Sequence, residues 1–263
     1  STWKHAGIYL AGVSGGTVEG NSVHDNRRCG GIYVMGNSEN VTVRRNTIRK
    51  CGYVGIWFMG APRCKMIGNT VEDNLGTHSN ALTIYHGSDE AYIFGNRVRN
   101  SQIAVSMEKV KNVTLAYNDF HSPSYTVVSW FETVGTKVFN NTLMSDEKKA
   151  LYLALRDTKE TVARNNILEG LIIAGPYEVD HNLFVGHFQG WENLPEDVRA
   201  NNRWEPDCSK VFADVQKKDY RLREGSPAVD AGVDLGFTED CAGAKVPAGR
   251  APDLGAYELP PSG

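Results

Sequence analysis

Apolar residues recur along this chain in short alternating runs, and helical spacing is nowhere sustained. The runs are GIYLAG at 7–12, GIYVMG at 31–36, GIWFMG at 55–60 and ALTIYH at 81–86. They continue as QIAVSM at 102–107, TVVSWF at 126–131, ALYLAL at 150–155 and GLIIAG at 170–175. Most are bounded by Gly, Asn or Ser, and all read as short strands. Taking Ile8, Ile32, Ile56, Leu82, Ile103, Val127, Leu151 and Leu171 as inward anchors, the next residues face outward. These are Tyr9, Tyr33, Trp57, Thr83, Ala104, Val128, Tyr152 and Ile172.

A second register runs through the same repeats. Asn21, Asn46, Asn69, Asn96, Asn118, Asn141, Asn166 and Asn182 follow one another at steps of 25, 23, 27, 22, 23, 25 and 16 residues. Three residues before each stands an apolar side chain in nearly every case: Val18, Val43, Met66, Ile93, Leu115, Val138, Ala163 and Val179. Two after stands another: Val23, Ile48, Val71, Val98, Phe120, Leu143, Leu168 and Phe184. A period of this length marks a solenoid. Each coil then carries three short strands, and equivalent strands of successive coils stack in parallel about 4.8 Å apart. The asparagine falls at a bend, where its amide can bond the asparagines above and below.

This pattern resembles the right-handed parallel β-helix superfamily, the architecture of pectate lyases and their relatives. The resemblance covers residues 7 to about 185, and the right hand is what it implies. The expectation is an all-β, single-stranded parallel β-helix of about eight coils over residues 1–185, with an irregular C-terminal cap over 186–263 on the same domain. Within that cap, the YRLREGSPAVDAG stretch at 220–232 and the APDLGAYE stretch at 251–258 resemble the closing segment of secreted bacterial β-helix proteins. The segment is expected to cover the last coil and block edge-to-edge association. Asp230, Asp253 and Glu258 are either loop-fixing hydrogen-bond acceptors or Ca²⁺ ligands.

Composition narrows the partners. The chain has 263 residues and a net charge of −3, so it lacks the basic excess that binds nucleic acid. No apolar run approaches a membrane span. A secretion signal and earlier coils are expected ahead of Ser1, with an extracellular or periplasmic location and a monomeric state. Of the five cysteines, Cys64 lies on an inward row. Cys29 and Cys51 occupy comparable turns of adjacent coils, and Cys208 with Cys241 could staple the C-terminal segment. None has the spacing of a zinc site.

The outward face of the first strand carries the chemistry. Tyr33, Trp57, Tyr85, Trp130 and Tyr152 form an aromatic display suited to the apolar faces of sugar rings; ring-to-ring packing along the sheet is the alternative. On the same reading Glu108, Glu132 and Arg156 share one outward row. Two carboxylates about 5 Å apart at the backbone would split their pKa values, Arg156 keeping Glu132 ionised and Glu108 protonated. That is an acid–base pair for glycosidic cleavage; a solvated charge ladder or a Ca²⁺ site are the alternatives. His78, in the loop at 73–80, and Lys109 are further candidate bases. β-Helix lyases of the alginate and chondroitin type use Lys and Arg in such a role, but their local motifs have no residue-by-residue match here.

The leading expectation is a secreted protein binding a polysaccharide or oligosaccharide along the first sheet, a glycoside hydrolase using Glu108 and Glu132. A lyase or C5-epimerase for uronic-acid polymers and a non-catalytic carbohydrate-binding or adhesin β-helix are the rivals.

Overall fold

A computed structural model describes residues 5–76, 78–146, 153–155, 158–173, 177–186, 188 and 190–260. Among these the chain winds into a three-sided column. Two parallel sheets of eight strands and one of nine run its length, each pairing equivalent strands of successive coils. The only α-helix among the described residues is the single turn Glu196–Ala200.

The apolar rows stack inside the column as the repeat requires. In the second sheet Val43, Met66, Ile93, Leu115 and Val138 are neighbours in register. In the third sheet Ile48, Val71, Val98, Phe120 and Leu143 follow one another. All ten are wholly buried. Each such side chain contributes roughly 1.5–3 kcal/mol of transfer free energy, so stability is distributed coil by coil.

The asparagines form a continuous ladder at the bend between the second and third sheets. Asn46 Nδ2 donates to Asn69 Oδ1 at 3.0 Å, and Asn69 Nδ2 to Asn96 Oδ1 at 2.9 Å. The same geometry continues through Asn118, Asn141, Asn166 and Asn182. Each interior amide also donates to a backbone carbonyl of the preceding coil, as Asn96 does to Met66 O at 2.8 Å. The ladder runs past the expected coil boundary at 185. Asn202 accepts from Asn182 at 2.9 Å, and the strand Arg203–Glu205 adds the ninth strand of the third sheet.

The end of the column and its flank are closed by different segments. Val198, from the short helix, joins the main core, with Phe188, Trp191 and Leu194 packed against it. Residues 212–260 run back along the side of the coils rather than over the last one. Phe237 packs against Phe94, Tyr117 and Phe139 of the second-sheet side. Gly255 N donates to Asn165 O, and Ala256 N to Thr142 Oγ1. The acidic residues of this segment hold its loops. Asp230 accepts from the Arg250 and Ala251 amides, Asp253 from those of Asp230 and Leu259, and Glu258 from those of Ala248 and Asp253. Their oxygens are spent on backbone donors, the loop-fixing role. All five cysteines are free. Cys208 packs with Leu183 and Val211, whereas Cys241 sits against Phe94 and Tyr117, so the expected C-terminal staple is not formed.

Candidate functional site

The site is set by the register of the first sheet. Ile8, Ile32, Ile56, Leu82, Val105, Val127 and Leu171 form its inward row, with Leu153 in backbone register between Val127 and Leu171. Two coils therefore sit two residues away from the expected alignment, with Val105 in place of Ile103 and Leu153 in place of Leu151. The inward–outward alternation survives, because a slip of two keeps every side chain on its face.

The slip relocates the acids. Glu108 now stands beside Tyr85, and Trp130 N donates to Met107 O, which puts Trp130 at the level of Glu108 on the next coil. Glu132 lies elsewhere. Gly12, Gly36, Gly60, His86, Lys109 and Glu132 form one row of left-handed turn residues, with φ between 46° and 65°. Lys109 N donates to Phe131 O, which aligns Lys109 with Glu132. Phe131 is the extra residue between the two alignments, a bulge that leaves the residue 54% exposed. The expected Glu108–Glu132–Arg156 row is thus not formed by Glu108 and Glu132; Arg156 and Tyr152 lie outside the described residues.

The aromatic display divides in two. Tyr33 is fully buried and Trp57 is 7% exposed, packed with Met35 and Val54 beneath the partly buried Tyr53. Gly30 leaves the space into which the Tyr33 ring folds, since a Cβ there would lie 2.1 Å from its hydroxyl oxygen. Burial raises the Tyr33 phenol well above the ordinary tyrosine range. Tyr33 and Trp57 are therefore packing residues in this structure and not open sugar platforms. Their polar atoms, Tyr33 Oη and Trp57 Nε1, are buried without a hydrogen-bond partner among the described residues. His78 is exposed on its loop, its ring 5.9 Å from that of Tyr53 and outside the group around Glu108.

Tyr85 and Trp130 remain half-buried and converge on one hydroxyl. Tyr85 Oη lies 2.7 Å from Ser106 Oγ, and Trp130 Nε1 donates to the same oxygen at 3.1 Å. Burial is the first cause raising the Tyr85 phenol above its ordinary value, with the Ser106 bond opposing it. Tyr125 packs edge-on against Trp130 with ring centroids 5.9 Å apart. Glu108, with 22% of its side chain exposed, points its Oε1 to within 3.6 Å of His86 Nε2. Lys109 is exposed beside it. A carboxylate, an imidazole and an ammonium thus stand beside two aromatic rings joined through a serine. His86, Ser106 and Tyr125 are the members that the sequence reading did not place here.

Three parallel sheets, a stacked core and an asparagine ladder define a parallel β-helix protein. A family model described as "Periplasmic copper-binding protein (NosD)" matches residues 1–179, and the chain belongs to that family. A comparison with curated protein sequences finds no match. Among solved structures, "The complex structure of XylC with xylose" aligns with a TM-score of 0.58 at 13% identity. The alignment covers 96% of this chain and 61% of that one, so the chain spans less than two thirds of that structure. "Crystal structure of pectate lyase Pel9A" aligns with a TM-score of 0.46 at 12% identity, over 96% of this chain and 72% of that one. The family and the 0.58 likeness agree on a right-handed parallel β-helix.

The family description raises copper. Among the described residues no three His, Cys, Asp or Glu side chains are placed to share an ion. Met35 and Met59 are register neighbours, but both belong to the packed cluster of Tyr33 and Trp57, and none of the free cysteines joins a group of three such donors among the described residues. Copper calls for several soft or imidazole donors around one point. The described residues do not fit a copper centre.

Proposed function

We propose that the protein is an extracytoplasmic, monomeric polysaccharide-binding β-helix whose glycan lies across the first sheet at Tyr85, Ser106, Glu108 and Trp130. The observation that carries this reading is the bridge from Tyr85 Oη through Ser106 Oγ to Trp130 Nε1, which joins two half-buried rings two coils apart through the serine of the coil between them, beside a carboxylate. Ring faces suit sugar C–H surfaces, and a few convergent polar groups set orientation. The periplasmic description of the family and the xylose bound to the XylC structure support the location and the ligand class.

Within that site Glu108 serves as the proton donor or acceptor. His86, 3.6 Å away, is the group placed to exchange a proton with it. Glu132 sits on the turn row with Lys109, so hydrolysis would rest on Glu108 with a water or His86 rather than on a matched carboxylate pair. Incubation with neutral and uronic-acid polysaccharides, following reducing ends and unsaturated products together, tests this. Reducing ends that vanish in Glu108→Gln establish a hydrolase. Unsaturated ends would move the chemistry to a lyase using His86 or Lys109. No product, with binding lost in Trp130→Ala, leaves a binding module; binding unchanged in Trp130→Ala refutes the site.

A further inference from the structure

The third sheet carries a separate cleft of about 520 Å³, on a different side of the column from Tyr85 and Trp130. Its floor is outward-facing strand residues. Arg97 and Arg99 flank the inward Val98, and Asp119 is the register partner of Arg97 on the next coil. Its wall is the antiparallel hairpin of strands Phe212–Asp214 and Asp219–Leu222, whose turn presents Lys217 and Lys218. Tyr220 and Tyr257 complete the lining.

The charges in this cleft are mostly spoken for, and the remainder is informative. Arg99 bonds Asp119 at 2.5 Å, and Tyr257 Oη donates to the same carboxylate at 2.7 Å. Arg221 holds Asp219, Lys217 holds Asp214, and Lys218 reaches Asp146 beside the cleft at 3.1 Å. Arg97 is exposed and makes no direct ion pair among the described residues, though after the Arg221 hydrogen bond its charge helps hold the Asp219 carboxyl down. Five cationic and three anionic side chains line the space, and Asp146 neutralises Lys218, so one positive charge is in excess. In the floor, Asp119 Oδ1 and Arg99 Nε are buried without a hydrogen-bond partner among the described residues.

We propose that this cleft binds a sugar carrying one carboxylate, a uronic acid unit, with its carboxylate on Arg97 and its hydroxyls on the aspartates. A guanidinium matches a carboxylate in two parallel hydrogen bonds. The single excess charge matches one carboxylate. The three aspartates would repel a compact multiply charged anion such as phosphate, yet they accept hydrogen bonds from hydroxyls. The volume lies within the range of small-molecule sites and exceeds what a bare anion fills. This site stands on its own residues and does not depend on the first-sheet reading.

Calorimetry on the full chain tests it, with glucuronate and galacturonate as probes and glucose and inorganic phosphate as controls. Uronate binding is expected, with glucose silent and phosphate weaker. Arg97→Gln, a change at an exposed side chain, is expected to weaken uronate at least tenfold, while Lys137→Gln, an exposed lysine on the second sheet, leaves it unchanged. Circular dichroism confirms that each variant keeps its fold. Absence of uronate binding, binding unaffected by Arg97→Gln, or phosphate binding as tightly as uronate would overturn the proposal. Loss in Trp130→Ala alone would place uronate at the first sheet and overturn it equally.

Discussion

The asparagine ladder predicts a stability effect that depends on position along the column. Asn96 is wholly buried. Its Nδ2 donates to Met66 O, Phe94 O and Asn118 Oδ1, and its Oδ1 accepts from the backbone N and the Nδ2 of Asn69. Asn96→Ala removes all five bonds. Asn69 Nδ2 keeps Val43 O, and Asn118 Oδ1 keeps the Asn96 backbone amide. The Asn69 backbone N–H loses its acceptor in a place water does not reach, which costs about 1–3 kcal/mol. Each of the four remaining bonds contributes about 0.5–1.5 kcal/mol net, so the whole change should cost roughly 6 kcal/mol, within a range of about 3–9. Asn21, the partly exposed first rung, donates through its amide only to Glu19 O and Asn46 Oδ1. Water can replace both, and Asn21→Ala should cost no more than about 1 kcal/mol. Urea unfolding of both variants measures the difference. Asn96→Asp sharpens it, because that residue keeps the acceptor and turns the donor side against three oxygens; it should be at least as destabilising as Ala. Equal costs at Asn21 and Asn96, or a loss at Asn96 under about 1 kcal/mol, would refute the view that the ladder works by satisfying buried groups.

Tyr85→Phe, which removes one hydroxyl from the Ser106 bridge, should leave the melting temperature nearly unchanged and weaken glycan binding several-fold, as read by intrinsic fluorescence titration. Gly30→Ala should destabilise the first coils by about 1–3 kcal/mol, because the new methyl overlaps the buried Tyr33 ring, which has no free space to move into; denaturant unfolding reads it. His121, 2% exposed and stacked on Tyr220, is held down to about 4, first by burial and then by Lys218, with Asp146 opposing. The unfolded chain takes up this proton near 6.5 and the folded chain resists it, so the residue's contribution is present above pH 6.5 and falls by about 3 kcal/mol on descent through pH 4. Burial lifts Glu169 and Glu258 to about 7, so their contribution runs the other way, growing as pH falls from 7 to below 4.5. The difference in stability between the parent and His121→Asn across that range isolates the histidine, and a pH-independent difference would contradict its assigned state. Five thiols should titrate in denaturant without reductant; fewer would show a disulfide that the structure does not contain.

The fold was legible because its determinants repeat. One apolar residue is replaceable, but eight in a row at one offset from an asparagine leave a single way to bury them together. The rung at Asn202 escaped because the short helix carrying Val198 stands upstream of it, where the other rungs have a strand. The site was less legible for a different reason. Alternation has a period of two, so a slip of two residues changes no side chain's face and leaves no trace in the apolar pattern. The ladder did carry the missing information. From the register positions Ile8, Ile32, Ile56, Leu82, Val105, Val127 and Leu153, the distance to the ladder asparagine is always 13 or 14 residues; from Ile103 or Leu151 it would be 15. Counting back from each asparagine therefore places Glu108 beside Tyr85 and leaves Glu132 to the turn row. What no count could supply is the cover over Tyr33 and Trp57. That depends on how the turn carrying Tyr53 and Val54 folds back onto the sheet, and loop geometry has no period. The same limit explains the third-sheet cleft: Arg97 and Arg99 announce only a polar strand, and their meaning appears when a hairpin more than a hundred residues later closes over them.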